Sequence, residues 1–170
     1  MSTKGAPRGK FGATDPLRGT PEGPGGGAAQ SLADRIVGAM LAKDAFTAWL
    51  GVTVVAVAPR TAVVRMVVRP EMVNGFGVCH GGIVYSLADS ALAFASNTHG
   101  RVTLSIDNAI SYPAPVHVGD VLTAAATEDS ATHRLAFYRV TVRDGGDVVV
   151  GIFRGTVYRT DRAFFEDEGR

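Results

Sequence analysis

The chain has 170 residues, 46% hydrophobic and 19% charged, with 17 Lys and Arg against 16 Asp and Glu for a net charge of +1. That suits one compact domain: the chain is too short for a second sizeable core and lacks the basic surplus of a general nucleic-acid binder. The single cysteine, Cys79, excludes an internal disulfide framework and points to a reducing compartment, and no apolar run approaches the roughly 20 residues of a membrane span. The first five residues lack the apolar stretch of a secretory signal, so a cytoplasmic location is expected.

Residues 1–29 hold eight of the 21 glycines and four of the eight prolines. So little apolar surface cannot offset the entropy of ordering, and a flexible tail is expected there. The folded domain is expected over residues 30–160, opening with Ser31 as the N-cap of an amphipathic helix that carries Leu32, Ile36, Val37, Met40 and Leu41 on one stripe. Phe46, Trp49 and Leu50 add a short turn ended by Gly51. Two β-branched runs, residues 52–58 and 62–68, read as a hairpin about Pro59-Arg60-Thr61. A glycine-rich loop, residues 74–82, leads into a helix over residues 83–97 that is apolar all round and must be buried, with His99-Gly100 as its stop signal. Strands are expected at 102–112, 121–130, 135–143 and 148–158, separated by turn signals at Gly119-Asp120 and Asp144-Gly145-Gly146-Asp147. Residues 161–170 read as a charged tail that frays. Hairpin connections this short make the six-stranded sheet largely antiparallel, and one long apolar helix suggests that the sheet wraps it, an α+β domain.

Asp89 is the only charged side chain between Gly81 and Thr98. A carboxylate on a buried helix is expensive unless it is paired or faces a ligand site, so it is either a structural acid or a catalytic one. Gly81 and Gly82 stand where that helix begins, and free N–H groups and the positive end of the helix dipole there favour an oxyanion or phosphate. Gly81 and Asp89 are eight residues apart, roughly 12 Å along a helix. One reacting carbonyl cannot touch both in one chain, so a shared site requires a dimer.

Other chemistries find less support. His80 takes the third glycine position of a dinucleotide fingerprint, no Gly-Lys-Ser/Thr or Gly-x-Ser-x-Gly occurs, and adjacent Cys79 and His80 are poorly placed as a nucleophile–base pair. His80, His99, His117 and His133 lack metal-ligand spacing, so no metal is expected. His99 reads as a complement to its helix C-terminus. Glu166-Asp167-Glu168 reads as a solvated run.

The run Asn74-Gly75-x-x-x-Cys79-His80-Gly81-Gly82, with Ser86-Leu87-Ala88-Asp89 after it, resembles the PaaI-type thioesterases (phenylacetic acid degradation) of the hotdog-fold superfamily over roughly residues 44–159. The resemblance implies a hotdog fold, homodimers and often homotetramers, and hydrolysis of acyl-CoA thioesters without metal or cofactor, coenzyme A being part of the substrate. It implies Asp89 as general base or nucleophile, the Gly81 N–H as polariser of the thioester carbonyl across the dimer, Asn74 as a positioner of water or substrate, and His80 as support for the loop. Gly82, Tyr85 and Tyr112 are candidate substrate contacts. Ala114 stands where relatives often carry Arg before the last proline of Ser111-Tyr112-Pro113-Ala114-Pro115; His133 and Arg134 could contact CoA phosphate instead, although the pair also reads as a solvated turn. Aryl-acetyl or similar medium-sized acyl groups are the expected substrates. The rivals are a non-catalytic acyl-CoA sensor, for which the tail offers no helix-turn-helix, and a hotdog hydratase or dehydratase, which would need an Asp–His pair placed for α,β-chemistry.

Overall fold

The computed structural model describes residues 26–165. Most of the expected N-terminal tail and the acidic run at 166–168 lie outside the described residues. Helices α1 (Gly26–Leu41) and α2 (Ala45–Leu50) precede strands β1 (Thr53–Ala58) and β2 (Thr61–Val67); helix α3 (Gly81–Asn97) follows, then β3 (Arg101–Ser111), β4 (Val121–Ala131), β5 (Leu135–Arg143) and β6 (Val149–Ala163). The strands form one sheet in the order β1-β2-β4-β5-β6-β3, every neighbouring pair antiparallel. Helix α3 packs against all six strands. This is the α+β arrangement that the apolar helix and short connections foretold, and it agrees with the hotdog fold that the resemblance implies.

The core follows from two periodicities. On α3, Val84, Leu87, Ala88, Ala91, Leu92, Phe94 and Ala95 are buried, covering most of the circumference. On β5, Ala136, Tyr138, Val140 and Val142 are buried while Phe137 and Arg139 are exposed, the period-two alternation of a sheet with one face on the core. Burying Leu87, Leu92 and Phe94 stabilises the fold by about 1.5–3 kcal/mol each.

Gly155 on β6 is where the helix comes closest. A Cβ there would lie 2.5 Å from Leu92 Cδ2 and 2.9 Å from Asn108 Oδ1. Gly155→Ala is therefore expected to cost about 1–3 kcal/mol in urea unfolding, the range for overpacking a filled core. Unchanged stability would mean that Leu92 has room to swing aside.

Three expectations are corrected. Helix α1 begins at Gly26, so residues 26–29 are helical rather than tail and Ser31 lies inside the helix, its hydroxyl donating to Ala28 O (3.1 Å). A tertiary tether explains the longer helix: Gln30 Nε2 donates to Val57 O on β1 (2.8 Å) and to Asp34 Oδ1 (3.0 Å). Strand β6 continues to Ala163, so residues 161–163 do not fray. They are held by the Arg101↔Ala163 pairing, Thr160 Oγ1 donating to Val102 O (2.7 Å) and the Arg134–Asp161 ion pair (2.7 Å). Finally, His99 does not serve the end of α3. Its Nε2 lies 2.9 Å from Glu128 Oε2 on β4, which also accepts from the Tyr138 hydroxyl (2.9 Å). Burial lowers the His99 pKa; burial would raise that of Glu128, but the hydrogen bonds from His99 and Tyr138 outweigh it and hold it low.

Candidate active site

The loop before α3 is held open by its own backbone. Asn74 N–H donates to Val78 O (2.8 Å), Gly77 N–H to Asn74 O (3.0 Å) and Phe76 N–H to the Asn74 side-chain oxygen (2.9 Å). Gly77 sits at φ +76°, a conformation that suits glycine. The end of the loop is anchored by Cys79 N–H on Val116 O (2.7 Å) and His80 N–H on Met72 O (2.8 Å). The Asn74 carbonyl oxygen is thus spent on the turn, which leaves its NH2 as the group able to meet a ligand.

His80 is the N-cap of α3: its Nδ1 accepts from Gly82 N–H (2.9 Å), and its backbone carbonyl accepts from Ile83 N–H (2.9 Å). That satisfies two of the orphan donors at the helix start. The Gly81 N–H has no partner among the described residues. Its carbonyl accepts from the Tyr112 hydroxyl (2.9 Å), and a Cβ on Gly81 would lie 3.1 Å from the Tyr112 ring. A cavity of about 300 Å³ opens here, lined by Gly81, Val84, Tyr112, Ala114 and Val150 among others. Tyr85, one turn into α3, lies edge-on to Phe153 with ring centroids 5.3 Å apart. Burial raises the Tyr112 pKa and pushes the Cys79 thiol up to about 11, so Cys79 carries almost no thiolate near neutrality.

Asp89 lies two turns further along α3, half-buried. Burial raises its pKa, and the amide of Asn108, whose Nδ2 donates to Asp89 Oδ1 (3.0 Å), pulls it back in part. Asn108 Oδ1 in turn accepts from Ser105 Oγ (2.9 Å). Neither Asn108 nor Ser105 was among the residues singled out from sequence; the available signal was an Asp107-Asn108 pair inside an otherwise β-favouring run, where both types are normally depleted.

Two rulers agree on the gap between the two halves. Gly81 and Asp89 are roughly 12 Å apart along the helix. Their partners, Asn108 on β3 and Tyr112 just past its end, are four residues apart, roughly 13 Å along an extended chain. Asp89 does not line the cavity at Gly81.

The His133-Arg134 turn lies elsewhere. Arg134 pairs with Asp161 (2.7 Å) and stacks over Tyr158 at 5.9 Å. Tyr158 is registered with Leu104, seven residues before Ser111 and hence roughly 23 Å along the strand from the Tyr112 end. Among the described residues no three His, Cys, Asp or Glu side chains are grouped so as to hold a metal ion, and no helix is long and apolar enough to cross a membrane.

Comparison with known proteins identifies the family. The thioesterase superfamily description matches residues 76–150. The chain is 34% identical to the acyl-coenzyme A thioesterase PaaI of Escherichia coli over 121 residues, 71% of this chain and 86% of that protein. It is 34% identical to human acyl-coenzyme A thioesterase 13 over 116 residues, 65% of this chain and 81% of that one. The solved structure of E. coli PaaI, from the phenylacetic acid degradation operon, superposes with a TM-score of 0.78 at 31% identity, covering 79% of this chain and 98% of that one. A helix wrapped by its sheet, the Asn74–Gly82 loop leading into it and this degree of similarity together place the chain in the hotdog thioesterase superfamily, as a PaaI-type thioesterase.

Proposed function

We propose that the protein hydrolyses acyl-CoA thioesters to free acid and CoA at a site shared between two protomers. Asp89 of one acts on the water or on the thioester carbon, and the Gly81 N–H of the other polarises the carbonyl. The observation that carries this reading is the unused Gly81 N–H at the start of a 17-residue helix, set roughly 12 Å from a half-buried carboxylate with one protein partner.

Strand β3 is at the edge of the sheet, and Leu104 and Ile106 are more than half exposed on it. An unpaired edge with exposed apolar residues invites a second copy. Antiparallel pairing of two β3 strands about a two-fold axis near Ile110 would set each Asn108 opposite the other chain's Tyr112. Each Asp89 would then face the other chain's Gly81, giving two equivalent sites.

In the reaction as proposed, ionised Asp89 takes a proton as water oxygen bonds to the carbonyl carbon. The oxyanion is held by the Gly81 N–H and the positive end of α3. Collapse breaks the C–S bond, and the departing thiolate ends with the proton. An attack by Asp89 itself would give a mixed anhydride that water then hydrolyses; either route ends in acid and thiol.

The cavity beside Gly81 is small and largely apolar in its side chains, which suits an aryl-acetyl or comparable medium-sized acyl group. Release of free thiol from a panel of acyl-CoAs tests the reading. Phenylacetyl-CoA and medium-chain acyl-CoAs are expected to exceed palmitoyl-CoA in kcat/KM by roughly tenfold or more. Thiol release at the spontaneous rate across the whole panel would defeat it.

A further inference from the structure

We propose that Asn108, braced by Ser105, is a positioning residue that orients the Asp89 carboxylate and keeps it ionised for catalysis. The inference rests on the reading of Asp89 as the catalytic carboxylate and adds a residue from another element to it.

The geometry begins with a break in β3. Ser105 pairs with Val157 and Asp107 with Thr156, so Ile106 is an extra residue in the strand. Residues three apart on a regular strand face opposite ways; the extra residue brings Ser105 and Asn108 to the same face, and a bulge of this kind commonly re-aims a side chain near a site. Ser105 Oγ then donates to Asn108 Oδ1 at 2.9 Å, and Asn108 Nδ2 donates to Asp89 Oδ1 at 3.0 Å.

The order of that chain follows from its members. An ionised carboxylate only accepts hydrogen bonds, so the amide must present its NH2 to Asp89, and its oxygen is left for a donor, which Ser105 supplies. A reversed amide would set its oxygen against the carboxylate. Space is reserved as well: Asn108 is registered with Gly155, and any Cβ at that position would lie 2.9 Å from Asn108 Oδ1. An amide locked at both ends, in a slot cleared by a glycine, fixes one carboxylate oxygen in direction. The other oxygen has no hydrogen-bond partner among the described residues and is free to meet the water or the thioester carbon.

The electrostatics point the same way. Burial opposes ionisation of Asp89, and the Asn108 hydrogen bond favours it; among the described residues no charged side chain on the elements packed around α3 adds to these two influences. Loss of the amide would leave burial unopposed.

The test is the pH dependence of thiol release by wild type, Asn108→Leu, Ser105→Ala and Asp89→Asn, with thermal unfolding of each. Asn108→Leu is expected to lower kcat by about tenfold with KM within about twofold, and to move the acid limb of kcat/KM upward by about one pH unit. Ser105→Ala is expected to shift the limb in the same direction by less. A merely structural Asn108 would lower the melting temperature and leave the limb in place, and an unmoved limb in folded Asn108→Leu overturns the proposal. Should Asn108→Leu not fold, Ser105→Ala decides by the same limb: shifted upward, it supports the proposal; unmoved, it overturns it. Asp89→Asn separates the two levels. If that variant is inactive while the limb of Asn108→Leu is unmoved, the positioning role alone fails. Near-normal turnover by Asp89→Asn removes the catalytic carboxylate and overturns both.

Discussion

Asp89→Asn is expected to lower kcat for acyl-CoA hydrolysis by at least ~10²-fold and to leave the fold intact, since a positioned acid–base group typically supplies ~10²–10⁴. The substitution keeps size and one oxygen able to accept from Asn108 Nδ2, turns the other oxygen into a donor and removes the charge. Removing the charge should not weaken the fold. A carboxylate whose pKa is raised by burial binds its proton more tightly when folded, so its ionised form opposes folding above that pKa and a neutral amide does not. The same direction sets the pH dependence of wild type. With Asp89 acting ionised, as proposed, activity is expected to be lost as pH falls through a pKa above the ordinary aspartate value. Measured kcat near wild type would end the catalytic role. An unfolded Asp89→Asn protein would instead assign Asp89 to the structure.

Gly81→Pro removes the N–H proposed to meet the oxyanion, and the loss of one such donor typically costs ~10²–10³ in kcat. The position can hold proline. Gly81 is the first residue of α3, where proline is tolerated because the N–H has no intrahelical acceptor. His80 before it sits at φ −63°, ψ 132°, the extended conformation that a residue preceding proline requires. The added atoms crowd the Tyr112 ring, which approaches to 3.1 Å. Gly81→Ala introduces the same crowding and keeps the N–H, so it serves as the control. A kcat for Gly81→Pro at least ~10-fold below that of Gly81→Ala assigns the loss to the donor; equal values assign it to crowding.

The parts of this molecule readable from sequence are those set by local chemistry. The all-round apolar helix could only be a central one, and the β5 limits at Leu135 and Arg143 follow from its alternation and flanking turns. The glycine pair marked where the central helix begins, but not that Gly81 is its first residue and His80 its cap. What escaped depends on contacts between distant segments. Helix α1 gains turns because Gln30 reaches Val57, and β6 gains residues because β3 pairs with it as far as Ala163. His99 finds a carboxylate 29 residues away rather than its own helix end. Asn108 was hidden because the one-residue break in β3 that turns it to the Ser105 face shows only in the pairing with β6, and the Asp107-Asn108 pair hints at it without saying which face Asn108 takes. Gly155 reads as an ordinary strand glycine until Leu92 is set above it.

The shared site is the central claim, and subunit exchange tests it most directly. Asp89→Asn and Gly81→Pro are each expected to be inactive alone. Mixed in equal amounts and allowed to exchange, half of the dimers pair one chain of each kind. Such a dimer has one site with both intact groups and one with neither, so about a quarter of all sites should regain wild-type turnover. Recovery near that fraction, growing with the measured rate of exchange, is the predicted result. Heterodimers confirmed by mass and still as inactive as their parents would contradict it, and would place both groups, or neither, at the chemistry of a single chain.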